Sequence, residues 1–479
     1  MKNIFFRHPQ GLRAWALALA TSCLLACGGG TSLSGVGSGG SGIAEGSVSG
    51  FGSVIVNGVE YDDSNAVSQT EDAVGQKALS APKLGQRVRV IQTKDGVADT
   101  IEVLPQLRGP VTSVSKDGLS LQVMGQRVQV VSVSNSSGTA TVLDGYDGIG
   151  SISAGAALEV HGVWSQDSKG LVLVASRIEK VTAPYELLIS GQVTAVGQGT
   201  LELNGSSARI DTGALSSMPV GSQVTAWLDQ AGSASQTLRA TRIKDAAPVP
   251  PGTQLLRLDV MASASDVAGG QLRAQGRPIA IPANLQAQLP HGPEPLLLEA
   301  TLQNGVWTAT ALRARTTPQD LGGEILLKGT VLWNANASSL TLREATVAIQ
   351  SGTVISGNCP PSGQMVFLEV HALRGAPGST PVATAINCPS TVPGDSVIRQ
   401  VGVVQSIATD GKSFSMMFDG QSSPTTMVLF DGSILPPPPN DLNTLRMTQM
   451  RVEVEYQVVA GRNQLRSVIP PPPKSTPSP

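Results

Sequence analysis

Apolar and polar residues alternate along this chain in short runs. In "SVIVNGVEY" (residues 53–61), Val54/Val56 and Val59/Tyr61 flank Asn57-Gly58, and "LSLQV", "LELNG" and "RVEVEY" keep the same period of two. A period of two is the mark of a strand with one buried face, and no long stretch follows the 3.6-residue period of a helix. Two-residue turns recur at Asn57-Gly58, Met124-Gly125, Asn204-Gly205, Gln275-Gly276 and Asp419-Gly420. Asn-Gly is the strongest hairpin signal, because a type I′ turn needs positive φ at both central residues. The expected class is all-β.

The strands are organised in copies. Gly-x-x-apolar-x-apolar appears in "GQRVRV" from Gly85, "GAALEV" from Gly155, "GSQVTA" from Gly221 and "GQMVFL" from Gly363. A closing strand with Ala and an aliphatic three residues on follows: "ADTI", "ASRI", "ATRI", "ATAL", "ATAI" and a degraded "LRSV", spaced 77, 65, 69, 74 and 82 residues apart. Self-similarity at that period indicates a repeat architecture. Four or five strands in ~70 residues leave two edges if the sheet stays open, and closure into a small barrel removes them. The expected architecture is a tandem array of about six small OB-like β-barrels: repeats at 46–104, 108–181, 187–245, 253–316, 324–390 and 397–469, then a Pro-rich tail at 470–479. The proline-rich joint "AAPVPPG" (246–252) is expected to divide the array into separable groups.

The N-terminus carries a different message. Lys2, Arg7 and Arg13 precede "AWALALATSCLLA", an apolar run too short to span a bilayer permanently. Residues 1–26 read as a signal peptide, and Leu24-Leu25-Ala26-Cys27 resembles the bacterial lipobox, which implies lipidation at Cys27. Each buried methylene of the acyl chains contributes ~0.8 kcal/mol to anchoring. Residues 27–45, rich in Gly and Ser, then read as a tether holding the first barrel roughly 20–25 Å from the membrane. Gly28 after the cysteine, by resemblance to enterobacterial sorting, implies the outer membrane and a periplasmic or surface-facing location. Cys359 and Cys388 remain in the mature chain, and an oxidising compartment favours a disulfide between them. Zinc is the rival reading, but no Cys or His pair at short metal-ligand spacing sits nearby.

Composition narrows the partners. Removing Lys2, Arg7 and Arg13 from 33 basic residues leaves 30 against 35 acidic ones, and aromatic residues are 3%. Basic grooves with aromatic platforms are therefore lacking, and nucleic acid is not an expected partner. The membrane, through the lipid, is the expected contact, with an envelope protein or polysaccharide as the open partner class; no cofactor is expected.

Few motifs carry chemistry. The G-x-G-x-x-G matches at Gly35 and Gly37 lie in the tether without a strand before or a helix after, and "GKS" (411–413) has Ser406 where a P-loop needs its first glycine. "LEVH" occurs at 158–161 and 368–371; strand alternation turns Glu159, His161, Glu369 and His371 to solvent. Asp144, Tyr146 and Asp147 in "VLDGYDGIGS" fit a solvated turn better than a Ca²⁺ site. Trp164, Trp227, Trp307 and Trp333 sit in different strand contexts, which favours packing over a sugar platform.

The opening "GSVSGFGSVIVNGVEYDDSNA" and the recurring Gly-x-x-Val-x-Val … Ala-x-x-Ile pattern resemble an uncharacterised family. It consists of tandem OB-like repeats, each a domain of unknown function, in proteobacterial lipoproteins. The resemblance is clearest over 46–103 and 108–244 and weaker over 255–469, and it implies fold and location without an activity. The expected function is a non-catalytic, membrane-anchored scaffold or binding array, with no catalytic residue and no metal site assigned. An envelope hydrolase or metal-dependent enzyme, its site built between repeats, is the alternative.

Overall fold

The structure is a computed structural model that describes residues 41–132, 140–205, 209–215, 218–229, 237–315, 323–343, 345–389, 398–419, 423–429, 435, 441–459 and 462–469. Cys27 and the two G-x-G-x-x-G matches' glycines at 35 and 37 lie outside the described residues, as does Gly420 of the last expected turn.

Barrel two shows how the local rules build each unit. Its strands are Leu107–Val114, Ser120–Val123, Gln126–Val130, Ala157–Asp167 and Gly170–Lys180. Strand one pairs antiparallel with two, two with three, three parallel with five, five antiparallel with four, and four back to one. This closed order, 1-2-3-5-4-1, is the five-stranded Greek-key barrel of the OB fold. Barrel three repeats it with Leu187–Gly197, Thr200–Leu203, Arg209–Asp211, Gln223–Asp229 and Thr237–Asp245. Barrel six closes in the same order from Ile398–Ile407 to Arg462–Ile469. In barrel one the third strand is in two pieces, Val59–Tyr61 and Val67–Glu71. In barrel four a 3₁₀ turn at Ala264–Asp266 interrupts the first strand. Barrel five runs from strand one (Glu324–Leu332) through four and five to three and two. Short helices between strands three and four, Ala283–Gln286 in barrel four and Leu442–Thr448 in barrel six, occupy the usual OB position.

The hairpin turns take the expected form. Asn57, Met124, Asn204 and Gln275 have φ of 54°, 49°, 58° and 50°, and the glycine after each is also positive. Asn57 adds side-chain bonds back to strand one, accepting from Ser47 N (3.1 Å) and donating to Glu45 O (3.3 Å).

The barrels are not separate beads. Strand one of barrel one, Gly42–Phe51, pairs in parallel with strand one of barrel four, Gly42 opposite Leu255 through Glu45 opposite Leu258. Its far end pairs in parallel with strand one of barrel five, Gly50 opposite Leu326 and Phe51 opposite Leu327. Strand one of barrel two meets strand one of barrel three at Arg108–Leu188 and Leu107–Ile189. Cores merge accordingly: barrel one with barrel five, barrel two with barrel three, while Ile43 of barrel one enters the core of barrel four. The described residues between 41 and 469 belong to one compact unit.

Two expectations change. The tether does not extend to residue 45, because Gly42–Glu45 are buried strand, hydrogen-bonded on both sides. The 246–252 joint does not divide the molecule either. Its ends are fastened, with Ala246 O accepting from Arg89 and Ala247 O from Arg277 at 3.1 Å at the start, and Gly252 O accepting from Ser41 Oγ at 2.7 Å at the finish. Barrel one at the start of the chain and barrel four after the joint share a sheet across it.

Candidate functional site

The barrels' outward faces become interior where barrels meet, and charge concentrates there. "RVRV" in barrel one's fourth strand alternates as expected, with Val88 and Val90 in the barrel core. Arg87 and Arg89 point outward yet are 1% and 6% exposed, because barrel four covers them. Glu45, opposite Arg89 across the strands, sits between Arg89 Nε at 2.9 Å and Arg277 Nη2 at 2.8 Å. Arg87 bridges Glu45 and Asp259, 4.0 Å from each. Asp259 in turn accepts from Arg315 Nη1 at 2.7 Å. Arg257 extends the network, bonding Glu299 at 2.8 Å and Asp95 at 2.7 Å.

Electrostatics follow from this enclosure. Burial pushes the Glu45 carboxyl up, but Arg277, Arg89 and Arg87 outweigh it and hold the group at about 2. Burial raises the Tyr61 hydroxyl to about 12 in spite of Arg257 beside it. Burial lowers Arg87, with Asp259 and Glu45 opposing the shift. A carboxylate held ionised in this way by guanidiniums is an ion-pair partner near neutral pH.

A cavity of about 70 Å³ opens beside the hub, lined by Glu45, Arg87, Arg89, Glu71, Lys244 and Trp227 among others. Barrels one and three meet there, with Gln275 of barrel four at the wall. Glu71 pairs with both Arg242 and Lys244, and Arg242 lies over the Trp227 ring at 4.5 Å. Trp227 and Trp333 are interior residues, and Trp164 donates to Ser190 O at 3.0 Å. Trp307 packs against the core of barrel four.

The two "LEVH" copies part company. His371 stays half-exposed beside Glu324 (3.2 Å) and Glu369 (3.8 Å). His161 is fully buried, its Nε2 2.9 Å from Glu159, which also accepts from Arg108 at 2.7 Å. The solvent expectation for Glu159 and His161 is therefore corrected. They do point away from their own barrel, but the strand's outer side lies against strand one of barrel four. Burial raises the Glu159 carboxyl, and Arg108 and His161 pull it well below the usual carboxylate range. In the insertion, Asp144 pairs with Arg177 and Tyr146 lies beneath Lys180, while Asp147 stays exposed, so the turn packs on one side and meets solvent on the other. Among the described residues no group of three or more metal-ligating side chains converges.

Cys359 and Cys388 are joined in a disulfide, Cα–Cα 5.0 Å, with Cys388 fully buried at the end of barrel five's last strand. The arginines of the hub escaped the sequence reading. Their one signal was arginine alternating with valine in a chain only 14% charged.

A family model described as "Domain of unknown function (DUF5666)" matches residues 108–179, the span of barrel two. No curated protein matches the chain. Among solved structures, "drosophila Unr CSD456" is similar over 38% of this chain and 79% of its own, at 15% identity and a TM-score of 0.14. The barrel assignment rests on the strand order above, not on that likeness.

Proposed function

We propose that this chain is a lipid-anchored protein of the bacterial cell envelope, probed by its partners as one rigid, non-catalytic binding body. The observation that carries the reading is the junction chemistry. Carboxylates between barrels are paired with arginines, an arrangement that supports barrels fixed to one another. The Leu24-Leu25-Ala26-Cys27 site supports the anchor, and the Gly/Ser stretch from Gly28 to residue 41 supplies a shortened tether. The other five barrels read as diverged copies of the domain matched at 108–179, supported by their common strand order. An envelope protein or polysaccharide is the partner class, and the outer membrane the location.

The test is expression from the native signal followed by membrane fractionation and mass spectrometry of the N-terminal peptide. A triacylated or diacylated Cys27 in the membrane fraction is expected, with Cys27→Ala unprocessed or released. An unmodified Cys27, or cleavage at another site, ends the anchored reading. Affinity capture from crosslinked envelopes then tests the binding role, and turnover of an envelope substrate by the pure protein overturns it.

A further inference from the structure

Of the cations at the barrel junctions, Arg374 stands apart. It lies just after barrel five's fourth strand, and its guanidinium is enclosed against barrel two, with Nη1 donating to Ala140 O at 3.0 Å. Nη2 is buried and has no hydrogen-bond partner among the described residues. Among the described residues no carboxylate acts on it; burial first, and then the like charge of Arg177, lower it to about 10. An enclosed cation with a cation as its charged neighbour is costly, because desolvation and repulsion act together.

The same residue lines a cavity of about 330 Å³ where barrels one, two and five meet. That volume falls within the ~300–1,000 Å³ of small-molecule sites and exceeds what a bare ion fills. Lys83 from barrel one and Arg177 from barrel two also line it, as do Ser379 and Thr380. Lys83 bonds Glu179 at 2.7 Å, and Arg177 bonds Glu179 at 2.9 Å and also Asp144. Lys83 and Arg177 are thus each engaged by carboxylates, whereas Arg374 meets none among the described residues. The wall is built closely. Gly378, at φ 90°, lies against the Asp147–Gly148 backbone, where a Cβ would come within 2.9 Å of Asp147.

We propose that this cavity is a binding site for an oxyanion carried on a small body the size of a sugar or glycerol, with Arg374 as the group that receives the charge. Guanidinium donors suit phosphate and carboxylate oxygens alike, and cations from three barrels line the cavity. The site stands independently of the anchor at Cys27.

Calorimetric titration of the full-length protein in detergent, at fixed ionic strength in chloride, tests it. The probes are glucose 1-phosphate, glycerol 1-phosphate, glucuronate and inorganic phosphate. Saturable 1:1 binding of at least one body-bearing probe is expected, with inorganic phosphate at least tenfold weaker. The ranking of the two phosphate esters distinguishes a sugar source from a lipid-headgroup source, and glucuronate reports a carboxylate. Arg374→Met should lose at least tenfold in affinity while its melting temperature stays level or rises, since the substitution removes an uncompensated buried cation. Absence of saturable binding by every probe overturns the site. So does equal affinity in Arg374→Met, or a lower melting temperature in that variant with wild-type binding retained.

Discussion

A carboxyl group enclosed by protein ordinarily holds its proton more tightly, yet Glu45 sits at about 2 because Arg277, Arg89 and Arg87 stabilise its charge more than burial opposes it. The folded value lies below the ordinary 4.5, so the stabilisation is complete above about pH 4.5 and is lost as pH falls toward 2. The shift corresponds to about 3 kcal/mol, to order of magnitude. Glu45→Gln leaves the guanidiniums without their shared counter-charge, and should cost ~3–5 kcal/mol at pH 7. Urea unfolding at pH 7, 5 and 3 checks both statements: the variant should be less stable at pH 7, and the gap to wild type should narrow at pH 3. A gap that is constant with pH would falsify the charge assignment.

At the scale of elements, the hairpins were legible and their neighbours were not. Asn57-Gly58 and Asn204-Gly205 specify type I′ turns through local backbone sterics, which need no knowledge of the rest of the molecule. Alternation also sorted each strand's faces correctly with respect to its own barrel. It failed for His161 and left Arg87 unnoticed, because whether an outward face meets water depends on a barrel hundreds of residues away in the worst case. Gly50 shows such a contact: a Cβ there would lie 2.3 Å from Leu326 O, so only glycine lets strand one of barrel one approach strand one of barrel five. Gly50→Val should weaken that junction by roughly 1–3 kcal/mol, as overpacking does. The disulfide belongs to the same joint core, since Cys388 packs in the cluster shared by barrels one and five. Its 29-residue loop implies about 3.5 kcal/mol in the chain-entropy account. Cys359→Ser should therefore reduce hydrogen-exchange protection in Gly42–Val103 as well as in Glu324–Cys388, and leave Leu187–Asp229 unchanged. Loss confined to barrel five would mean that the shared core is not cooperative.

For the whole molecule, the repeats predict beads and the pairings contradict it, and the difference can be measured by cutting the chain. A division at the proline-rich 246–252 joint separates Gly42–Phe51 from its parallel partner Leu255–Ala262 and Glu45 from Arg277. The N-terminal half then exposes a strand edge together with Glu45, Arg87 and Arg89. The C-terminal half exposes Asp259, Arg257 and the edges that Gly50 and Phe51 cover in the intact chain. Unpaired edges of this kind promote association, and polar groups built for burial gain little from packing alone. Fragments 41–245 and 253–470 should accordingly be aggregation-prone or partly unfolded when made singly. Made together they should co-purify as a 1:1 complex, because the strand pairings and the Glu45–Arg277 ion pair can re-form without the joint. Adding Glu45→Gln to the first fragment should weaken that complex more than tenfold, since it removes the shared counter-charge of the hub on one side of the cut. Two fragments that each fold well and ignore one another would restore the picture of independent barrels, and with it a binding mode distributed along an array.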